Sequence, residues 1–396
     1  MTLFHPQPAL RTAFVIALIQ FANALEYMMI NPIFPYMANT LKLPVSHAGY
    51  VSGAYTLACV LSGLAAYKIV DRFPKKKLLT LNLLLLGLMT ALMPYATSWS
   101  SLIAIRFGAG LCGGLTLGVG MALLLNQTPP ALRGKAIATV LAAFSVVSIV
   151  GLPLALLVAN HLGWQWSFWL VAGLCLLCVP LLHALVAAEA PSSRPEPQQT
   201  LSLSPRLLWG VGASALTNFS PFLLIPLLAP LFTDLLAQPL SQLPLLFLGG
   251  GLSALAATKL AGKACDRYSP LNVATAATAL FLLSLLLLAL PLPTTFKAYG
   301  FMLLFMFGTY GRMVAATVLA AAIPTAAQRG GFSVLQTACN HLSASAAFGL
   351  PAWWLHNQAF SQSNLWPLVL LAGISALSLL PYLSKLKGMA QPESIQ

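Results

Sequence analysis

The chain has 396 residues, of which 59% are hydrophobic and only 7% charged, whereas soluble domains carry about a quarter charged residues. Twenty Lys and Arg with seven Asp and Glu are too few to coat a water-soluble surface, which excludes a soluble single-core protein and leaves a polytopic helical membrane protein. The formal net charge of +13 would suit a nucleic-acid binder in a soluble chain, so the placement of the basic residues decides its meaning.

Windows of about twenty apolar residues predict twelve spans, at about 12–36, 47–69, 78–96, 100–126, 136–160 and 165–187, then 207–233, 242–263, 272–291, 297–322, 331–355 and 365–384. The apolar stretch from Thr12 to Met37 is too long for a signal peptide and reads as a retained first span. The Pro, Ser and Gln-rich run Glu189 to Thr200 is the longest polar connector. The expected organisation is a bundle over 1–188, a linker over 189–205 and a second bundle over 206–396.

The first span contains Asn23-Ala-Leu-Glu26-Tyr27 and Asn31-Pro32-Ile-Phe-Pro35. The other six acids, Asp71, Glu189, Glu196, Asp234, Asp266 and Glu393, fall in loops, span ends or the tail, so Glu26 is the only carboxylate deep in a span. A charge at that depth costs roughly 2.5–3.5 kcal/mol on insertion scales and generally faces a cavity or a partner. Burial favours the neutral acid and a neighbouring guanidinium the carboxylate, so Glu26 is either a proton-loading site or one side of a structural ion pair. Asn23, Tyr27 and Asn31 lie about a turn from it and are candidate cavity residues. Pro32 and Pro35 are expected to break the outer end of the span, as a gate or as a plain helix end.

Asp71-Arg72 follows the second span and Asp266-Arg267 the eighth, at corresponding places. These pairs are candidates to contact charges or helix ends of the opposite half and so to set a conformational equilibrium. The fourth span has Arg106 and the glycines Gly108, Gly110, Gly113, Gly114, Gly118 and Gly120, which suit close helix approach. No Gly-Lys-Ser/Thr follows them, so a phosphate loop and direct use of ATP are not expected. The fifth span has Gly151-Leu-Pro153, echoed by Gly349-Leu-Pro351 in the eleventh. Asn218 in the seventh span, beside Pro221, is a cavity candidate in a broken-helix context.

Arg312 in the tenth span has no intramembrane acid in its own half. A guanidinium cannot shed its charge, so Arg312 is expected to bind an anionic solute group, to pair with Glu26 across a cavity, or to bond backbone carbonyls. Gln336, Asn340 and His341 make a polar patch on the eleventh span that either lines the cavity or joins helices. The six cysteines, including Cys175-x-x-Cys178, read as small packing residues, and no histidines have metal-ligand spacing.

With a cytoplasmic N-terminus, sixteen of the twenty Lys and Arg, from Arg11 to Lys387, fall on the cytoplasmic side, against Lys42 and Lys297 opposite and Arg106 and Arg312 within spans. Topology and anionic lipid therefore account for the basic balance, and nucleic acid is not needed. The internal echoes mark parallel six-helix repeats with a solute path at their interface.

On these motifs the chain resembles the major facilitator superfamily, and within it the twelve-span drug/proton antiporters and sugar exporters. Asp71, Arg72 and Lys75 to Lys77 match the family's loop signature between spans two and three, with Tyr67 and Pro74 where glycines are usual. Arg106-Phe107-Gly108-Ala109-Gly110 is similar to the Arg-Phe-x-x-Gly motif of span four, Gly151 and Pro153 to a reduced antiporter motif, and Gly163 to Phe168 to the entrance of span six. The resemblance implies an all-α fold of two pseudo-symmetric bundles, alternating access, and an interaction of Arg106 with a proton-carrying acid or polar groups on span one. The expected function is proton-coupled export of a small anionic or polar solute from a bacterial inner membrane, with both termini cytoplasmic. The partners expected are that solute, protons and membrane lipids, with no cofactor, metal or nucleic acid, and the chain working as a monomer. An importer of an organic acid, sugar or metal chelate keeps the same fold, since driving gradients decide direction; a flippase or intramembrane enzyme is the alternative from another class.

Overall fold

The computed structural model describes residues 8–69, 73–129, 132–187, 204–325 and 328–389. They form twelve long helical segments: α1 Pro8–Leu41, α2 Ala48–Ile69, α3 Lys75–Leu92, α4 Trp99–Gln127, α5 Arg133–Leu162, α6 Trp164–Leu185, α7 Pro205–Leu235, α8 Leu243–Arg267, α9 Pro270–Leu287, α10 Thr294–Ala321, α11 Arg329–Trp354 and α12 Gln362–Met389. No strand occurs among the described residues. Among those residues, 11 segments are long and apolar enough to cross a membrane; α11, with 26 residues, carries the polar Ser333, Gln336, Asn340 and His341. Outward-facing leucines such as Leu57, Leu61, Leu177 and Leu286 stay exposed, and Tyr95, Trp166, Trp353, Phe73 and Tyr268 are exposed near helix ends, as in a membrane-embedded bundle with aromatic borders. The chain is thus a multi-pass membrane protein.

Local chemistry sets the helix ends. Ser98 and Ser101 form a reciprocal capping box that starts α4. Gly163 alone joins α5 to α6, at φ 102°, where a side chain would be strained. The expected break at Pro32 and Pro35 is not found, because α1 runs on to Leu41. Packing against α2 braces the segment, with Ser52 Oγ donating to Asn31 Oδ1 at 2.6 Å. Irregular backbone lies elsewhere. In α7 a 3₁₀ turn at Ile225–Leu227 and a π turn at Leu231–Leu235 follow Pro221, and in α5 a π turn at Val147–Gly151 precedes Pro153, whose missing N–H disturbs the ladder there.

Successive helices alternate in direction, so α1 begins and α12 ends on one side, here the terminal side. Packing differs sharply between the two sides. Near the terminal side one apolar core, with Ile16, Leu83, Leu123, Val140 and Leu182, belongs wholly to α1–α6. A second, with Val211, Leu319, Phe332 and Leu383, belongs wholly to α7–α12. Toward the far side a single core runs through both sets, joining Phe34, Val51 and Phe168 to Leu224, Phe247, Phe301 and Leu355.

Four helix pairs make that far-side union: α2 with α11, α5 with α8, α1 with α7, and α2 with α7. Ser345 Oγ of α11 donates to the Gly53 carbonyl of α2 at 3.0 Å. The His47 and His356 rings stack across the same seam at 5.5 Å, and Tyr36 of α1 donates to the Leu240 carbonyl at 3.1 Å. The π turn of α5 presents the Ser148 carbonyl to Gly251 of α8, so closely that a Cβ at 251 would collide with it; Gly49 meets the Phe348 carbonyl in the same way. On the terminal side a cleft of about 360 Å³ lies within the second set, between the end of α10 and the start of α11, lined by Thr317, Ala321, Pro324, Phe332 and Gln336.

Gly49→Leu is expected to destabilise the protein by about 1–3 kcal/mol through overpacking of the seam. Gly63→Ala, on the same helix with open space around it, should be neutral by comparison. Thermal unfolding of both variants in detergent checks this, and an unchanged melting temperature for Gly49→Leu would contradict the closed seam.

Candidate functional site

Glu26 sits on α1 near mid-length and is fully buried, as is Arg106 of α4. Arg106 Nη1 donates to Glu26 Oε1, the one salt bridge recorded among the described residues. The bond uses one atom of each group: Glu26 Oε2 and Arg106 Nε and Nη2 have no hydrogen-bond partner among the described residues. Arg106 also lies 4.5 Å from the centroid of the Tyr55 ring on α2, and Tyr55 stacks on Tyr27 at 5.3 Å. Two helices therefore hold the guanidinium, one by charge and one by a π-face.

The glycines of α4 make this approach possible. A Cβ at Gly110 would strike the Tyr55 carbonyl, one at Gly113 would fall on the Tyr55 hydroxyl and within 3.1 Å of Asn23 Oδ1, and one at Gly114 would meet Cys59 and Ser62. Gly118 faces open space, so the expectation of close approach holds for part of the stripe and not for all of it. Asn23 is buried beside the pair with Oδ1 unpartnered, Tyr27 is half-buried, and Asn31 lies farther along α1, joined to Ser52.

In the second set of helices Arg312 of α10 is likewise fully buried. Its Nη2 donates to Ser220 Oγ of α7 at 2.9 Å, and its guanidinium lies 4.1 Å from the Phe281 centroid on α9. Nε and Nη1 have no partner among the described residues. The alternative that Arg312 pairs with Glu26 is not what the structure holds, because Glu26 is bonded to Arg106. Asn218 is buried on α7 two residues before Ser220. Gln336 donates to Ser214 of α7 and lines the terminal-side cleft. Asn340 leaves Oδ1 buried and unpartnered, and His341 is half-buried.

Gly151 packs against Phe21 and Leu25 of α1, and Pro153 is buried two residues beyond the π turn. Asp266 and Arg267 are exposed in the last turn of α8. Asp71 and Arg72 lie outside the described residues, as does nearly all of the 189–205 linker. All six cysteines are free, and no group of three or more potential metal ligands occurs among the described residues. Sequence reasoning missed Tyr55, Ser220 and Phe281, which hold the two guanidinium groups; nothing distinguishes them locally from other span residues.

The Major Facilitator Superfamily model matches residues 16–349. The chain belongs to the Major Facilitator Superfamily. It is 26% identical over 262 residues to a chloramphenicol resistance protein of Streptomyces lividans, covering 64% of this chain and 66% of that one, just under two thirds of its length. It is 24% identical over 263 residues to the inner membrane transport protein YdhP of Escherichia coli K12, covering 65% and 66%. Among solved structures it resembles a bacterial homologue of the human lysosomal transporter Spinster in an inward-facing, occupied conformation, with TM-score 0.68, 16% identity and 95% of each chain covered. It also resembles the nucleoside transporter NupG, with TM-score 0.72, 13% identity and 96% and 100% of the chains covered.

Arg106→Ala is expected to cost about 3–5 kcal/mol, since it leaves the Glu26 carboxylate buried without its partner. Replacing both partners by apolar residues, Glu26→Leu with Arg106→Met, should recover most of that loss. Melting temperatures of the single and double variants in detergent check the sign, and a double variant no more stable than Arg106→Ala would contradict the pairing.

Proposed function

We propose that the chain is a secondary active transporter that exports a small organic, anionic or polar solute in exchange for protons. The observation that carries this reading is the fully buried, singly bonded Glu26–Arg106 pair. A proton arriving on Glu26 removes its charge and with it the attraction that holds Arg106. The helices involved, α1, α2 and α4, include two of those that form the far-side seam, α1 against α7 and α2 against α11. Loss of the pair therefore reaches the seam through rigid helices, and the two bundles rock to open the opposite side.

The bias of Lys and Arg supports a cytoplasmic terminal side: Lys75, Lys76, Arg133, Lys263 and Lys387 lie there, against Lys42 and Lys297 on the far side. In that orientation the cleft opens toward the cytoplasm. Asp266 and Arg267, exposed at the end of α8, pair with charges or helix ends of the other half when that side closes, and Asp71 and Arg72 take the same role by their matching place in the sequence. Asn23, Tyr27, Asn218, Gln336, Asn340 and His341 supply polar groups along the interface. The similarity to a protein named for chloramphenicol resistance supports efflux as the direction. The membrane is the bacterial inner membrane, and one chain containing both bundles works as a monomer amid lipid.

The test is proton movement in proteoliposomes under an imposed pH gradient, during a screen of small organic anions and neutral polar solutes that includes chloramphenicol. Solute-dependent proton flux opposite in direction to the solute is expected, falling at least tenfold in Glu26→Gln. Flux of both in the same direction would assign symport instead, and solute transport unchanged in Glu26→Gln would remove the proton site.

A further inference from the structure

The two buried arginines are held alike, apart from one component. Each lies on the fourth helix of its set, α4 or α10, reaches the first helix, α1 or α7, and rests on an aromatic ring, Tyr55 or Phe281. Arg106 meets a carboxylate on α1, whereas Arg312 meets only the Ser220 hydroxyl on α7. The Ser220 hydroxyl accepts from Nη2 alone and carries no charge, so Nε and Nη1 of Arg312 remain buried and without acceptors among the described residues. No acid of α7–α12 can reach the site from the sequence: Asp234 and Asp266 sit at helix ends and Glu393 in the tail.

More buried donors surround this gap. Thr309, one turn along α10 from Arg312, and Thr278, one turn along α9 from Phe281, are buried with their hydroxyls unpartnered. Phe281 continues into an apolar aromatic run, 5.3 Å to Phe305 and a further 5.2 Å to Phe301. The terminal-side cleft reaches Thr317, five residues along α10 from Arg312 and about 7.5 Å along the helix axis.

We infer that Arg312, with Ser220, is an anion-binding site that takes the carboxylate of a solute with an apolar, aromatic-compatible body, the solute supplying to α7–α12 the acid that Glu26 supplies to α1–α6. A planar carboxylate can accept in forked geometry from the second Nη2 hydrogen together with Nε or Nη1, and the unpartnered threonine hydroxyls give it further donors. This rests on the reading of the chain as a transporter of a small solute, and it is independent of proton coupling through Glu26. In the present conformation the guanidinium is sealed, and Gln336 at the cleft is bonded to Ser214 of α7, the helix that carries Ser220.

The experiment measures thermal unfolding of the purified full-length protein in detergent with millimolar sodium benzoate, benzamide or sodium chloride at matched ionic strength. Benzoate is expected to raise the melting temperature by a few degrees, with no effect of benzamide or of chloride beyond the ionic-strength control. The benzoate shift should vanish in Arg312→Gln, shrink in Arg312→Lys, and persist in Glu26→Gln, where the proton-coupling reading predicts loss of coupled flux. Arg312→Met, which leaves no buried charge, serves as the folded control and should also fail to respond. No benzoate shift in the wild type, an equal shift with benzamide or chloride, or a shift surviving in Arg312→Gln would overturn the assignment. Loss of the shift in Arg312→Gln together with proton flux indifferent to Glu26→Gln would keep the anion site and discard the coupling.

Discussion

Charge burial in a medium that cannot solvate it is the constraint from which the rest of this protein follows. A carboxylate and a guanidinium with no exposed surface must either meet or be neutralised, and Glu26 and Arg106 meet across α1 and α4. That contact requires α4 to lie unusually close to α2, which is why Gly110, Gly113 and Gly114 occupy the face toward Tyr55, Cys59 and Ser62. Among the described residues the pair is bonded through one oxygen and one nitrogen, so it holds α1 and α4 together without saturating either group. An interaction of that kind can be broken by a single proton, whereas a fully satisfied network resists it.

The distribution of apolar packing determines what such a break would move. Terminal-side cores confined to α1–α6 and to α7–α12 let each set of helices stay rigid. The shared far-side core is the part that joins the two sets, and it is built where backbones touch through Gly49, Gly53 and Gly251, with few polar bonds across it among the described residues. Close backbone packing without strong hydrogen bonding gives a seam that can separate and reform, since dispersion contacts are individually weak and collectively lost or regained. The π turn at Val147–Gly151 belongs to the same device, presenting the Ser148 carbonyl to α8.

Arg312 poses the converse problem to Arg106. Its partners, Ser220 and Phe281, stabilise a cation without neutralising it. A transporter can tolerate an incomplete site of this kind where a bound solute completes it for part of the cycle, and the unpartnered Thr278 and Thr309 hydroxyls fit the same logic.

Composition and hydropathy were enough to read a membrane bundle of twelve helices, because twenty-residue apolar runs have no other stable fate. The lone intramembrane acid and the two intramembrane arginines were also legible, since a charge in an apolar run stands out against any background. Their partners were not. Tyr55, Ser220 and Phe281 look like ordinary span residues, and only the packing of α2, α7 and α9 against the arginine-bearing helices gives them a role. The fate of the prolines also depended on surroundings: Pro32 and Pro35 leave α1 intact because α2 braces it, while Pro153 and Pro221 accompany irregular turns. By itself the sequence determined which segments lie in the membrane and which charges lie within them, because transfer to a bilayer depends on local composition. The tertiary structure alone decided that Glu26 pairs with Arg106 rather than Arg312 and that the bundles join on the far side, because those outcomes depend on distances between segments far apart in the chain.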